Sequence, residues 1–578
     1  MEKFLPLGQI EELYHRARQA QSSSLLENVL AEMKVNSDLD ESEISRIPVN
    51  GPVLVVSNHP FGILDGTVLG AVMQRVRPDV KILTNVLLKG IEGLEDHCIF
   101  VDPFGTKNAI PTNGAALLQS VRWLRQGGLL VVFPAGEVSH LQLPSPEVTD
   151  PTWSPAVARL VRMTGASTLP VYFRGRNSAA FQALSLVHPS FRPALLLNEF
   201  LAQKGRTVQL RVGRVVPASA VASIGSDTEA TQYLRWRTHL LAHRGSEKTK
   251  LASVLQPMLP KKRMDRLTRP IAPDALLSDI EKLRPDQILD DSREYMVFAA
   301  REHEIPNVLP ELGRLREATF REVGEGTGRS TDLDTFDRYY NHVVLWNKLK
   351  QELVGAYRIA KTQDILPLRG TDGLYTSTLF RYNEGFFDKL GPALELGRSF
   401  VRPEYQRQYA PLLLLWKGIA RYVAAHPETP VLFGAVSISE RYTRASRELI
   451  VRFFESRTSG DELGPLVYPR HPYRPGRIRS WDCRSICHAM RELDELSDPI
   501  ADMETDGKGV PVLLKHYSRL GGRLLGFNVD PKFSHVLDGL VVMDLRKTQP
   551  SSLERYMGKS GLAAFRRFHG LPALQDQY

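Results

Sequence analysis

The sequence predicts an α/β protein built from two mixed α/β domains, and three observations carry that expectation. Short apolar runs of strand length, such as Val53-Leu54-Val55-Val56 and Leu129 to Phe133, alternate with stretches of helical period. Start and stop signals divide them: Ser154-Pro155 opens a helical stretch and Gly165 closes it. The chain is also long, at 578 residues, where roughly 150 residues per domain would allow three or four units.

Residues 1–50 read as a polar helical segment, with Leu25, Leu26, Val29, Leu30 and Met33 at helical spacing. Residues 51–217 read as the first α/β domain. Strands are expected at 53–56, 80–83, 98–101, 129–133, 168–173 and 208–212, and helices at 67–76, 115–125 and after Ser154. Residues 218–289 lack a clear period and are rich in charge and proline, so they read as a partly helical, basic connector. Residues 290–578 read as the second α/β domain. Here helices are expected at 308–323, 410–425 and 513–525, with strands at 353–359, 394–401, 431–436 and 540–544.

Composition removes several function classes. The chain is 42% hydrophobic and 24% charged, which excludes collagen-like and disordered classes. No apolar run approaches the roughly 20 residues of a spanning helix, and the first residues lack the apolar stretch of a secretory signal. Three cysteines are too few for a disulfide framework, so a reducing cytoplasm is expected. Cys483-x3-Cys487-His488 lacks the further ligands of structural zinc, and no metal is expected. No phosphate loop, dinucleotide fingerprint or serine elbow occurs, so no bound cofactor is expected. The net charge is +9, with a dense basic segment at Lys248, Lys250, Lys261, Lys262, Arg263, Arg266 and Arg269. That segment lacks interleaved aromatic rings and no nucleic-acid signature accompanies it, so nucleic acid is not expected. An anionic membrane surface is, at about 1 kcal/mol per cation held close to it. Peripheral attachment at the cytoplasmic face of the inner membrane follows.

The first chemical constellation follows the Val53–Val56 strand: Ser57-Asn58-His59-Pro60-Phe61-Gly62-Ile63-Leu64-Asp65-Gly66. A histidine at a strand end is where α/β sheets expose reactive groups. Asp65 can hold one imidazole nitrogen while the other takes a proton from a substrate hydroxyl, a poor nucleophile until deprotonated. Downstream stand Ile99-Phe100-Val101, Phe133-Pro134-Ala135-Gly136-Glu137-Val138-Ser139 and Leu169-Pro170-Val171. In this order, over about residues 50–215, the blocks resemble those of the lysophosphatidate-type glycerolipid acyltransferases. The resemblance implies a catalytic dyad of His59 and Asp65, and acceptor contacts at Pro134, Gly136 and Glu137. Three departures stand out. Five residues rather than four separate the dyad, Asp102-Pro103-Phe104 lacks the usual arginine, and Ala135 and Glu137 replace a common glutamate and threonine.

The second constellation is Arg316-x3-Phe320, Asp334-x2-Asp337, Arg358 and Glu395-Leu396-Gly397-Arg398. Each piece in isolation fits an ordinary ion pair. In this order they resemble the acyl-homoserine-lactone synthases, a branch of the acetyltransferase-like (GNAT) fold, although that family's tryptophan between Phe320 and the aspartates is missing. Arg314-Leu315-Arg316-Glu317, the run 394–401 and Leu520-Gly521-Gly522-Arg523 resemble more closely a bacterial family labelled hemolysin, which includes the N-acyltransferases of ornithine-lipid synthesis. The fused order of the two domains resembles the bifunctional ornithine-lipid synthases. It implies a C-terminal domain that attaches a 3-hydroxyacyl group to an amino acid, and an N-terminal domain that esterifies its 3-hydroxyl. An α-amine with a pKa of about 8 must lose a proton before attack, which suits Glu395 as base. Arg398 can orient Glu395 or bind a carboxylate in bidentate fashion. Arg316, Phe320, Asp334, Asp337 and Arg358 fall in the binding set by resemblance. The donor is acyl carrier protein or acyl-CoA; the loop 406–411 has no glycine to cradle a diphosphate, which leaves the acidic carrier open. Two rivals are a single-activity lysophospholipid O-acyltransferase with a binding-only second domain, and a non-catalytic peripheral membrane protein.

Overall fold

The computed structural model describes residues 7–20, 24–102, 109–142, 147–187, 192–245, 264–457, 461–475, 487, 490, 492–531, 533 and 535–572. The chain forms two compact units: Met1–Ser246 with Asp498–Gly507, and Glu247–Ser497 with Lys508–Tyr578.

Among the described residues the first unit carries nine strands: β1 (Asn36–Asp38), β2 (Val53–Ser57), β3 (Val80–Asn85), β4 (Cys98–Val101), β5 (Leu129–Val132), β6 (His140–Gln142), β7 (Glu147–Thr149), β8 (Ser167–Arg174) and β9 (Thr207–Val212). Seven form one sheet in the order β1-β9-β8-β2-β5-β3-β4, and β6 and β7 form a separate hairpin. Every pair in the sheet is parallel except β8 with β9. Because side chains alternate along a strand, a parallel sheet covered on both faces needs unbroken apolar strands. β2 supplies them. Val53 and Val55 pack with Leu64, Val68 and Val72 of the helix Ile63–Gln74, whereas Leu54 and Val56 pack with Leu130, Trp153 and Val157 on the other side. The Ser154-Pro155 signal opens the helix Ala156–Thr164, which Gly165 ends at φ +68°.

The expected connector meets a different division. The helices Ala218–Ala222 and Asp227–Leu240 belong to the first unit rather than to a linker starting at 218. Ser226 and Glu229 cap the second helix reciprocally, and Leu234, Trp236 and Leu240 are buried beneath its charged face. Most of the basic segment, 246–263, lies outside the described residues, as do Cys483 and His488. Among the described residues no helix is long and apolar enough to cross a membrane, and no cluster of side chains is placed to hold a metal ion.

The second unit carries β10 (Ile288–Asp291), β11 (Tyr295–Ala300), β12 (Asn341–Asn347), β13 (Glu352–Lys361), β14 (Phe380–Tyr382), β15 (Ala393–Val401), β16 (Val431–Ile438), β17 (Val467–Pro469), β18 (Arg523–Asp530) and β19 (Val536–Asp544). Eight form a sheet in the order β10-β11-β12-β13-β15-β16-β19-β18. Only β15 and β16 run parallel. The helix Val308–Glu322 buries Val308, Leu312 and Leu315 against Phe298, Val344 and Trp346. A helix was expected over 513–525; it stops at Arg519, Gly521 turns the chain at φ +84°, and a strand starts at Arg523.

Candidate active sites

In the first unit, β2 delivers Ser57 to the carboxyl edge of the sheet. Asn58 then ties the loop to β8 in both directions, its amide donating to the Phe173 carbonyl at 2.9 Å and accepting from the Phe173 N–H at 2.7 Å. Gly62, at φ +81°, turns the chain so that the helix beginning at Ile63 points its first-turn Asp65 back into the loop. Asp65 Oδ2 accepts from Phe61 N–H at 2.8 Å, Gly62 N–H at 3.0 Å and His59 Nδ1 at 2.9 Å. The five-residue spacing therefore still closes the pair. Burial raises the pKa of Asp65, and the bond from His59 opposes that shift. With Nδ1–H given to Asp65, His59 Nε2 keeps its lone pair; it has no partner among the described residues, and the side chain is 18% exposed.

The Pro134 block reaches the same place. The Phe133 ring stacks on the His59 imidazole with centroids 4.1 Å apart, and Ser139 N–H donates to the His59 carbonyl at 2.8 Å. Pro134 is buried, while Gly136, at φ +67°, and Glu137 are exposed. Sequence reasoning missed Asp150. This buried carboxylate accepts from the His59 N–H at 3.1 Å, the Trp153 indole at 3.0 Å and, by a short bond, the Ser139 hydroxyl. It fixes the backbone of His59, whose ring Asp65 holds, and no local motif announces it. His239, buried nearby, is pushed down to about 4 by burial, so it stays neutral at pH 7.

In the second unit, β15 and β16 pair only from Ala393–Val431 to Leu396–Gly434 and then part. Just beyond that point β15 bulges. Phe400 and Gly397 face Ala356 and Arg358 on β13, so one extra residue sits on β15, and Arg398 takes up the left-handed conformation at φ +48°. The register puts different chemistry on the two faces of this opening. On one stand Leu396, Leu432, Gly434, Val541 and Met543, which with Phe433, Ala435 and Tyr517 line a small cavity. On the other stand Arg358, Glu395 and, farther along, Ser437 with Asp538.

Three arginines, of which Arg316 and Arg358 are buried and Arg398 partly so, form a cage with three aspartates at the second face. Arg316 grips Asp337 with two guanidinium nitrogens, at 3.1 and 3.0 Å, and lies 3.1 Å from Asp332. Arg358 bonds Asp334 at 2.6 Å and lies 3.2 Å from Asp337. Arg398 lies 3.6 Å from Asp332 and 3.8 Å from Asp334. The arginines hold the Asp332 and Asp337 carboxyls below the usual carboxylate range despite burial, which pulls the other way. Arg358 and Arg398 both sit 5.0 Å over the Tyr375 ring. Phe320 meets Phe533 edge-on at 5.4 Å, beside Arg398.

The sequence-derived set thus converges, with one correction. Glu395 does not pair with Arg398, because the bulge turns the arginine toward Asp332 and Asp334. Glu395 instead accepts from Thr376 N–H at 2.7 Å, Tyr375 N–H at 3.2 Å and, by a short bond, the Tyr340 hydroxyl. Burial raises its pKa, and these donors pull it back down. Tyr340 links the two parts of the site, since the Arg358 guanidinium lies 5.3 Å over its ring. Asp332, Tyr340, Tyr375 and the pair Ser437–Asp538 were not foreseen; only Asp332, two residues before Asp334, left a local trace. Ser437 donates to Asp538 at 2.7 Å, and burial raises Asp538 to about 7. Burial likewise raises Glu325 to about 7.

Comparison with known proteins returns the same two parts. An "Acyltransferase" family model matches residues 34–246, and an "Acetyltransferase (GNAT) domain" model matches residues 315–417. The "Glycine N(alpha)-acyltransferase" of Phocaeicola vulgatus is 30% identical over 36% of this chain and 67% of its own. The "Lyso-glycine lipid O-acyltransferase" of that organism is 27% identical over 33% of this chain and 69% of its own. The "L-ornithine N(alpha)-acyltransferase" of Rhodobacter capsulatus is 28% identical over 42% of this chain and 88% of its own. The chain spans about two thirds of the length of the glycine N(alpha)-acyltransferases it matches.

Proposed function

The chain belongs to the acyltransferase family that includes the glycine and ornithine N(alpha)-acyltransferases, and on that premise we propose that it makes a diacylated aminolipid in two acyl transfers. The second unit N-acylates an amino acid with a 3-hydroxyacyl group. The first unit then esterifies the 3-hydroxyl. One observation carries this reading: a single chain holds both a His59–Asp65 pair at a strand end and a split β15–β16 pair beside a charged cage.

In the O-acyl transfer, His59 Nε2 takes the proton of the lipid hydroxyl while its oxygen attacks the acyl thioester carbonyl; Asp65 steadies the resulting imidazolium. Collapse of the tetrahedral intermediate expels the thiolate, which recovers that proton. Pro134, Gly136 and Glu137 adjoin the acceptor. In the N-acyl transfer, the acyl chain of the donor enters the apolar face of the split and the amino acid enters the charged face. Arg398 or Arg358 receives the amino-acid carboxylate, a task that suits a planar guanidinium. The amine nitrogen attacks the thioester carbonyl as its proton passes to the Tyr340 oxygen and the hydroxyl proton moves to Glu395; collapse of the tetrahedral intermediate breaks the C–S bond, and the expelled thiolate takes up that proton. The helix Ala410–Ala425, whose start has no side-chain cap, offers free N–H groups to the phosphate of the donor's pantetheine arm, whether carrier protein or coenzyme A bears it.

The test is expression in a host without aminolipids, followed by mass spectrometry of its lipid extract. Wild type should yield a diacyl aminolipid. His59→Ala should accumulate the N-acylated monoacyl lipid, and Glu395→Gln should cut N-acylation by about 10²–10⁴-fold while still esterifying supplied monoacyl lipid. A wild type that acylates only lysophosphatidate would overturn the two-transfer reading.

A further inference from the structure

We infer that the helix Ala109–Arg125 is the surface by which the first unit docks on an anionic lipid bilayer, next to the edge where His59 works. This rests on the proposed O-acylation of a lipid acceptor. Six large hydrophobic residues of the first unit are well exposed among the described residues: Val49, Ile110, Leu117, Leu118, Met163 and Leu184. Three stand on this one helix, and Met163 adjoins it, since Arg125 donates to the Met163 carbonyl at 3.1 Å. Single exposed hydrophobics are ordinary, whereas a group of them marks a contact surface.

The pattern along the helix says what kind of contact. Ala116, Ser120, Val121 and Leu124 are buried against the unit. The outward stripe runs Ile110, Gly114, Leu118, Arg122, Arg125, at steps of four, four, four and three residues, which keeps it on one helical face. Ile110 is 88% exposed and Leu118 67%. The helix contains no acidic residue, and neither Arg122 nor Arg125 has an ion pair among the described residues. A ridge with free aliphatic side chains at one end and unpaired arginines at the other suits the interface of an anionic bilayer, where acyl chains take the former and phosphates the latter.

Topology places the ridge by the chemistry. β2, β5, β3 and β4 are successive parallel neighbours, so the end of β4 and His59 share the carboxyl edge. The Asn113 side chain pins the start of the helix to that end: Asp102 N–H donates to it at 2.8 Å, and it donates to the Asp102 carbonyl at 2.9 Å. The apolar end of the ridge is therefore the end near the dyad, so a lipid leaving the bilayer there has a short way to His59.

The experiment is sedimentation of the full chain with vesicles of phosphatidylglycerol and phosphatidylcholine, and of phosphatidylcholine alone, without substrate or donor. Wild type should prefer the anionic vesicles and lose that preference at 1 M salt, where screening shortens to about 3 Å. Ile110→Asp with Leu118→Asp should weaken anionic binding by about tenfold or more, and Arg122→Glu with Arg125→Glu should reduce the anionic preference. Both pairs are solvent-facing, and circular dichroism should match wild type. O-acylation of detergent-dispersed lyso-lipid should persist in all variants, while that of vesicle-embedded lyso-lipid should fall with binding. Vesicle binding equal to wild type in both double variants would overturn the inference, as would unchanged vesicle binding with lost binding of acyl carrier protein. Because sedimentation needs no turnover, failure of the proposed reaction leaves this result readable.

Discussion

The two sites solve the problem of a reactive group in opposite ways. The first is local: His59 and Asp65 lie six positions apart, on one strand end and the first turn of the next helix, and one loop conformation joins them. It uses little charge and leaves the imidazole within reach of solvent. The second is distributed. Arg316 comes from a helix, Asp332, Asp334 and Asp337 from the loop after it, Arg358 from β13, and Glu395 and Arg398 from β15. The six charges of its arginine–aspartate cage are largely buried and balance as three cations and three anions, so each is stable only while the others remain. A local site tolerates substitution as a chemical event, whereas a distributed ionic site takes the fold down with it.

Asp65→Asn is expected to give the largest effect and to break the comparison most cleanly. The amide can donate to Nδ1, which leaves His59 in the wrong tautomer, so O-acylation should fall by about 10³–10⁴-fold with N-acylation unaltered. Steady-state rates with lyso-lipid and with free amino acid measure this. A parallel loss of both activities would mean that the sites are not independent.

Arg358→Met comes next. Removing the guanidinium leaves Asp334 and Asp337 short of a partner, and breaking one member of a buried ion pair costs about 3–5 kcal/mol. Urea unfolding followed by the fluorescence of Trp346 and Trp416, both buried in the second unit, should shift accordingly. A shift below about 1 kcal/mol, the range of exposed pairs, would show that the cage is solvated in solution.

Asp538→Asn gives the smallest effect and sharpens the contrast within the second unit. The folded pKa of Asp538 is raised to about 7 from 3.8. A raised carboxyl contributes stability that is fully present below the unfolded pKa and is lost as pH rises through the folded one. Wild type should thus lose up to a few kcal/mol between about pH 4 and 7, at about 1.4 kcal/mol per pH unit. Asn, which never ionises, should flatten that decline and be more stable than wild type at pH 8. Equal pH profiles by denaturant titration would place the Asp538 carboxyl in a wetter setting.

What the sequence disclosed follows the same divide. The His59–Asp65 contact, the Ser154-Pro155 start and the Gly165 stop were readable because their causes lie within a few residues. The order Arg316 to Arg398 was readable only through resemblance, since nothing in the spacing of Asp334 and Arg358 says that β13 will bring them to 2.6 Å. Asp150 was invisible because the partners that tie it to the His59 loop, His59 and Ser139, are 91 and 11 positions away. The Glu395–Arg398 pairing failed because a one-residue bulge redirects the arginine, and a bulge is set by neighbouring strands. The helix Asp227–Leu240 was hidden by a charged outer face that masks the period of its buried side.

The decapeptide Asp498–Gly507 belongs to the first unit although more than 250 residues separate it from Ser246. Its Asp502 accepts from Arg237 at 2.7 Å and from the Arg214 N–H at 2.8 Å, and it lies 3.4 Å from Arg244. A gene split at the connector would strand those cations without their anion, at a cost of about 3–5 kcal/mol for each buried pair broken. The two halves are therefore not interchangeable cassettes. Recombination that swaps the second half for that of a relative must either carry along a matching aspartate-bearing loop or supply a new anion, so the fusion is held together by inheritance of a shared part and not merely by a tether.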